Sequence, residues 1–270
     1  MSTDEIVPLG DEHPEHISAY GQETVVPEIG DAENIRLTRN VTVPSLTVHA
    51  PDPSVATGTG VIVCPGGSFT TLTHGTGSEI ANRLTEHGLT VFVLRYRLLP
   101  TPREDEEFLG TWASNVNMDA IESQSRVAKD DAFRAVRVVR ERASAWGVDP
   151  ARVGMLGFSS GGLLTIGAAT GRDAAGRPDF AAPIYAPVFD DYAVPADAPP
   201  LFVAFASDDE GMTVVPANLA LYDAWRAADR SVEMHVYAEG GHAFVWRKRG
   251  LPCDTWMDRY LEWLRSQGFL

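Results

Sequence analysis

The sequence predicts an α/β fold, with a mostly parallel central sheet, helices on both faces and antiparallel strands at its N-terminal edge. Three observations predict it. Gly60-Val61-Ile62-Val63-Cys64 and Thr90-Val91-Phe92-Val93-Leu94-Arg95-Tyr96 are continuous apolar runs, the mark of strands buried on both faces. Residues 78–87 between them have helical spacing and end at Gly88, so strand, helix and strand make a βαβ unit with parallel strands. Ahead of them, residues 35–49 alternate apolar and polar side chains, as edge-type antiparallel strands do, with Pro44 at the break between two of them.

At 270 residues and 44% hydrophobic, the chain is long enough to bury one large core. Residues 1–33 are polar, acidic and punctuated by proline, without a clear period. They are expected to form a surface arm or a partly disordered segment, and residues 34–270 a single domain. His13 and His16 fall in that arm and are read as exposed rather than as metal ligands. Residues 99–125 break the strand–helix rhythm with Pro100, Pro102 and the acidic run Glu104-Asp105-Glu106-Glu107. An irregular insertion of this length is expected to act as a lid or binding loop, with Phe108 and Trp112 as pocket walls.

Residues 130–146 read as an amphipathic helix. Ala132, Phe133, Val136, Val139 and Ala143 share one face, arginines take the other, and Gly147 ends it. Strands are expected from Val153 and over 181–185, 201–206 and 232–237. Helices are expected from Ser160 to near Gly171, over 214–228 and over 254–266. The proline-rich loop 187–200 falls at the C-terminal edge of the sheet, where folds of this class bind ligands.

The chemistry centres on Gly157-Phe158-Ser159-Ser160-Gly161-Gly162, a G-x-S-x-G pattern between an apolar strand and a helix of small residues. A sharp turn there presents Ser159 outward, and the glycines remove side chains that would collide where strand and helix nearly touch. The helix from Ser160 aims its unpaired N–H groups at the same spot, which favours negative charge. Pro65-Gly66-Gly67-Ser68-Phe69 directly follows a buried strand, and its glycine pair exposes further backbone N–H groups. His74 precedes the serine motif and is read as a rim or surface histidine.

Two later loops complete the set. Ser207-Asp208-Asp209-Glu210 follows the strand at 201–206, and Gly240-Gly241-His242-Ala243-Phe244 follows the strand at 232–237. A serine hydroxyl becomes a good nucleophile when a base takes its proton, and a carboxylate must hold that base in the right tautomer. His242 fits the base, since His235 lies inside a strand. Asp209 is chosen as the acid over Asp208, which sits closer to the strand as a local cap or ion-pair partner. Asp190, Asp191 and Asp197 precede the strand at 201–206 and are set aside.

Composition excludes several classes. The net charge of -15 and pI near 4.8 argue against nucleic acid and anionic membrane surfaces as partners. No apolar run reaches the length of a membrane span. The first ten residues lack the basic-then-apolar pattern of a signal peptide, so a cytoplasmic location is expected. Two cysteines, Cys64 and Cys253, make neither a disulfide framework nor a metal spacing, and neither a metal nor another cofactor is expected.

From residue 40 onward the chain resembles the acetyl xylan esterase-like and feruloyl esterase-like branch of the α/β-hydrolases, near the dienelactone hydrolase and hormone-sensitive lipase families. The stretches that carry the resemblance are Asn40-Val41-Thr42-Val43-Pro44, Leu46-Thr47-Val48, Val63-Cys64-Pro65-Gly66-Gly67, Leu94-Arg95-Tyr96-Arg97-Leu98 and Trp146-Gly147-Val148-Asp149-Pro150. They continue in the Ser159 motif, Ser207-Asp208-Asp209 and Gly240-Gly241-His242-Ala243-Phe244. The resemblance implies the α/β-hydrolase fold, a Ser159–Asp209–His242 triad, and oxyanion donors from Gly66, Gly67 and Ser160. Ser68, where such relatives carry a third glycine, and Phe69 are expected at the substrate pocket; Ser160 stands where alanine is more usual. The implied activity is a serine esterase acting on short, acetyl-type acyl groups of small-molecule or oligosaccharide esters. Two other readings of these motifs are a serine peptidase of the prolyl-oligopeptidase kind and a non-catalytic ligand-binding protein on the same fold.

Overall fold

Every residue of β5 (Gly60–Cys64) and β8 (Val153–Phe158) is buried, and these two strands pair in parallel at the centre of the sheet. The computed structural model describes residues 5–10, 17–29, 32–73, 75–111, 117–187, 193–211, 213–246 and 248–270. β7 (Thr90–Arg95) lies parallel on the other side of β5. β9 (Ala181–Ile184), β10 (Leu201–Ala206) and β11 (Val232–Tyr237) extend the sheet in parallel beyond β8. At the opposite edge β4 (Ser45–His49) and β1 (Glu5–Pro8) add antiparallel strands, so the order is β1-β4-β7-β5-β8-β9-β10-β11. A second, small antiparallel sheet joins β2 (Gln22–Ile29), β3 (Ala32–Arg39) and β6 (Thr71–Thr73).

Alternate residues of the central strands feed two cores. Val61, Val63 and Val91 pack toward α1 (Ile80–Glu86) and α6 (Trp256–Ser266), against Ile80, Leu84, Met257 and Leu264. Ile62, Phe92 and Leu94 pack toward α3 (Met118–Glu141) and α4 (Ser160–Ala169), against Ala132, Val136, Leu163 and Leu164. The period of two along each strand therefore places helices on both faces. α5 (Val214–Ala227) packs on β10 and β11. Among the described residues no helix is long and apolar enough to cross a membrane.

Three expectations change. Where an arm was expected over 1–33, β1 joins the main sheet and β2 pairs along β3. Both are edge strands: β1 finds its partner some forty positions later in the chain, and β2 forms a hairpin with β3 directly after it. The insertion 99–125 holds a short helix, α2 (Asp105–Thr111), and the first turns of α3. The helix expected over 130–146 in fact starts at Met118, where the Asn117 side chain caps the Ala120 N–H at 3.2 Å. His13, His16, His74 and Trp112 lie outside the described residues.

Candidate active site

The site begins with a strained serine. β8 ends at Phe158, α4 begins at Ser160, and Ser159 between them has φ 51° and ψ -121°. A non-glycine residue reaches that region only when its surroundings over-determine it. Here they do. The Ser159 N–H donates to the Ile184 carbonyl at 3.0 Å, and its carbonyl accepts from the N–H groups of Gly162 and Leu163 at 2.8 and 3.2 Å. A Cβ on Gly157 would stand 2.1 Å from the Gly161 carbonyl oxygen, and one on Gly161 would stand 2.0 Å from the Cys64 oxygen. Strand and helix meet so closely that only glycine fits at either position.

Ser159 Oγ lies 2.9 Å from His242 Nε2, and His242 Nδ1 lies 2.8 Å from Asp209 Oδ2. A carboxylate only accepts, so Nδ1 carries the hydrogen and Nε2 is left to accept from the serine hydroxyl. The Asp209 side chain is fully buried while that of His242 is 41% exposed, so the ring spans the boundary between core and surface. The other Asp209 oxygen accepts the Gly211 N–H at 2.9 Å.

Asp208 takes a different part. Its carboxylate accepts the Gly241 N–H at 2.7 Å and the Gly240 N–H at 3.1 Å, which holds its pKa below the usual carboxylate value. Arg249 Nη2 donates to the Gly240 carbonyl at 2.8 Å. The loop carrying His242 is thus pinned from both sides. Tyr185, at φ 39°, packs edge-to-face with His242, with ring centroids 5.0 Å apart. Burial and the nearby Asp209 charge push its hydroxyl pKa well up, and that hydroxyl finds no partner among the described residues. Sequence reasoning did not single out Tyr185; a bulky residue at positive φ is visible only in three dimensions.

The loop after β5 lies beside the serine. A Cβ on Gly66 would stand 3.1 Å from Ser159 Cβ. The Gly66 carbonyl accepts the Thr73 N–H at 3.2 Å, and the Gly67 carbonyl accepts the Thr70 and Thr71 N–H groups, each at 3.0 Å. Among the described residues no peptide bond is cis. Each of these carbonyls therefore sends the N–H of the next residue, Gly67 and Ser68, in the opposite direction. Gly67 itself has φ 136°, and a Cβ there would strike the Thr71 oxygen at 2.1 Å. Ser160 supplies the first N–H of α4, which has no acceptor within its own helix. The geometry can hold a nucleophile, a base, an orienting acid and backbone donors around Ser159.

The residues expected to line a pocket are placed differently from one another. Ser68 is exposed, at φ 54°. Phe69 is 1% exposed and packs inward on Tyr96, with ring centroids 5.9 Å apart. Phe108 is equally buried, packed with Val26 and Leu37 beneath the Arg39 guanidinium, which sits 4.8 Å above its ring. The expectation of Phe69 and Phe108 as pocket walls thus gives way to core positions, because each finds an apolar environment inside the molecule. Among the described residues no three His, Cys, Asp or Glu side chains converge as a metal site. Cys64 is buried, which pushes its thiol pKa well up and keeps it protonated.

With this geometry in hand, comparison with known proteins is informative. The model of the dienelactone hydrolase family matches residues 75–266. An acetylxylan esterase of Xylanibacter ruminicola is 24% identical over 247 residues, 79% of this chain and 47% of that protein, so the chain spans about half the length of this curated relative. Among solved structures, an acetyl ester-xyloside bifunctional hydrolase from Caldicellulosiruptor lactoaceticus superposes with a TM-score of 0.70 at 21% identity, covering 99% of this chain and 97% of that one. A carboxylesterase from Lactobacillus plantarum WCFS1 gives 0.63 at 19% identity, covering 92% and 98%. At such identities the structural likeness speaks to the fold, which is that of the α/β-hydrolases.

Proposed function

This chain belongs to the dienelactone hydrolase family, and on that premise we propose that it is a serine esterase working through an acyl-enzyme, on short acetyl-type esters that include acetylated carbohydrates. One observation carries the reading: Asp209, His242 and Ser159 form an unbroken hydrogen-bond chain that ends on a hydroxyl held at a strained turn.

In the proposed reaction Ser159 Oγ attacks the ester carbonyl carbon while His242 Nε2 takes the serine proton. The carbonyl oxygen becomes an oxyanion among the N–H groups of Gly66, Gly67 and Ser160. Collapse breaks the bond to the alcohol oxygen, which leaves with the proton from His242, and the acyl group stays on Ser159. Water then attacks the acyl carbon, gives its proton to His242, and the second collapse releases the carboxylic acid and returns the proton to Ser159. Asp209 remains ionised and stabilises the imidazolium in both halves. Preference for acetyl groups and for a carbohydrate alcohol draws support from the acetylxylan esterase relative and from the acetyl ester-xyloside hydrolase that shares the fold.

A rate series on p-nitrophenyl esters from acetate to decanoate, with acetylated xylo-oligosaccharide alongside, tests this. The expected result is fastest turnover on acetate and free acetic acid from the sugar. A maximum at long chains with no acetic acid released overturns the substrate class, and no turnover on any ester overturns the esterase itself.

A further inference from the structure

We propose that Tyr96 is a positioning residue that aims the backbone donors on both sides of Ser159, through a hydrogen-bond chain from Ser160 to Pro65. The inference rests on the serine-esterase reading above.

Tyr96 follows β7 directly and is completely buried. Its hydroxyl donates to the Pro65 carbonyl at 2.9 Å and lies 3.2 Å from Ser160 Oγ. The direction of the chain follows from valence. A carbonyl oxygen only accepts, so the single tyrosine hydrogen goes to Pro65. Ser160 Oγ must then donate to the tyrosine oxygen. The order is Ser160 O–H to Tyr96 O–H to Pro65 C=O, and successive bonds of this kind polarise one another. Burial pushes the Tyr96 pKa well up, so the phenol keeps its hydrogen.

What the chain holds makes it more than a buried satisfaction of polar groups. Pro65 and Gly66 share a trans peptide, so the Gly66 N–H points opposite to the Pro65 carbonyl. By fixing that carbonyl, Tyr96 fixes the direction of the Gly66 N–H beside Ser159. At its other end the chain grips the side chain of Ser160, whose own N–H is the donor on the helix side. Gly161 reinforces the joint, since a Cβ there would stand 2.6 Å from the Pro65 oxygen and 2.0 Å from the Cys64 oxygen. The Tyr96 ring packs under Phe69, on the same loop. One phenol thus spans the two structural units, the loop after β5 and the start of α4, whose relative placement sets the distance between donors. An oxyanion is sensitive to that placement, whereas a bound ester in its ground state makes little use of it.

The test uses the full chain with Tyr96→Phe, Ser160→Ala and the double variant, p-nitrophenyl acetate as substrate, and a trifluoromethyl ketone that forms a tetrahedral adduct on Ser159. Tyr96→Phe keeps the ring and deletes the strut. The expected result is a loss of roughly tenfold in kcat with KM within about twofold, smaller than the 10²–10³ of deleting a donor outright. The affinity of the ketone falls by the same factor, because its adduct carries the oxyanion. Ser160→Ala gives a smaller loss, and the double variant matches Tyr96→Phe alone, as members of one chain do. A Tyr96→Phe enzyme with a lower melting temperature but unchanged kcat and ketone affinity overturns the inference and leaves a structural tyrosine. If Tyr96→Phe does not fold, Ser160→Ala carries the same two readouts, and wild-type values in both overturn it. A wild type that turns over no ester and is unaffected by Ser159→Ala overturns the esterase reading, and the role of Tyr96 falls with it.

Discussion

Asp208 and Asp209 are neighbours in sequence that support two different parts of one histidine loop. Asp209 Oδ2 stands 2.8 Å from His242 Nδ1, while the Asp208 carboxylate accepts the N–H groups of Gly240 and Gly241, just before that histidine. The first orients the ring and the second orients the chain that carries it.

Substitution separates the two roles. Asp209→Asn presents an amide that can leave the ring in the wrong tautomer, and kcat is expected to fall by about 10³–10⁴. Asp208→Asn retains one acceptor for two N–H groups, and the expected fall is roughly tenfold. Steady-state kinetics on p-nitrophenyl acetate check both; equal losses contradict the division.

The lowered pKa of Asp208 also gives a pH dependence. Because the folded value lies below the unfolded one, the carboxylate contributes stability above about pH 4, and that contribution is lost as pH falls through the folded value. The side chain is exposed, so the effect is small. Melting curves of wild type and Asp208→Asn are expected to differ by a constant amount from pH 6 down to about 4 and to converge below it.

Much of this was legible in the sequence, and the reason differs by element. β5 and β7 are unbroken apolar runs, and such runs have few fates other than a doubly covered strand. The turn at Ser159 was legible because two glycines flank it where no Cβ fits. β1 was not, since its pairing with β4 joins residues some forty positions apart and leaves Ile6 exposed. The start of α3 was hidden because its buried positions, Ile121, Ser125 and Ala128, are small or polar rather than a strong apolar stripe. Phe108 drew notice as an aromatic in an insertion, but its burial under Arg39 depends on a partner 69 residues earlier. Tyr96 stood within a matching stretch, and nothing local announced that its hydroxyl reaches Pro65 and Ser160.

The close approach at the serine turn predicts a contrast between two glycines. Gly161→Ala places a Cβ 2.0 Å from a backbone oxygen, and a loss of about 3 kcal/mol or more is expected. Among the described residues Gly147→Ala meets nothing within 4 Å and carries only the strain of φ 64°, about 1 kcal/mol. Urea unfolding measures both, and similar losses contradict the packing argument.

Arg39 ties the insertion to the small sheet. Its buried guanidinium bonds Thr24, Asp105 and the carbonyls of Pro102 and Arg103, over the Phe108 ring. Arg39→Met is expected to cost about 3 kcal/mol, since those acceptors lose their donor in a partly buried setting. Phe108→Ala is expected to cost about 3–5 kcal/mol for a fully buried ring. Neither change is expected to alter the order of rates along the p-nitrophenyl ester series; a shifted acyl preference in Phe108→Ala contradicts its placement in the core.

The central claim is that Ser159 carries the acyl group. The most direct measurement is intact and peptide mass analysis of protein quenched during turnover of p-nitrophenyl acetate, on wild type and Ser159→Ala. The account predicts one acetyl group on the wild-type protein, mapped to Ser159, and none on the variant, whose kcat falls by about 10⁴–10⁶. Acetylation elsewhere, or a Ser159→Ala protein that keeps its turnover, would contradict it.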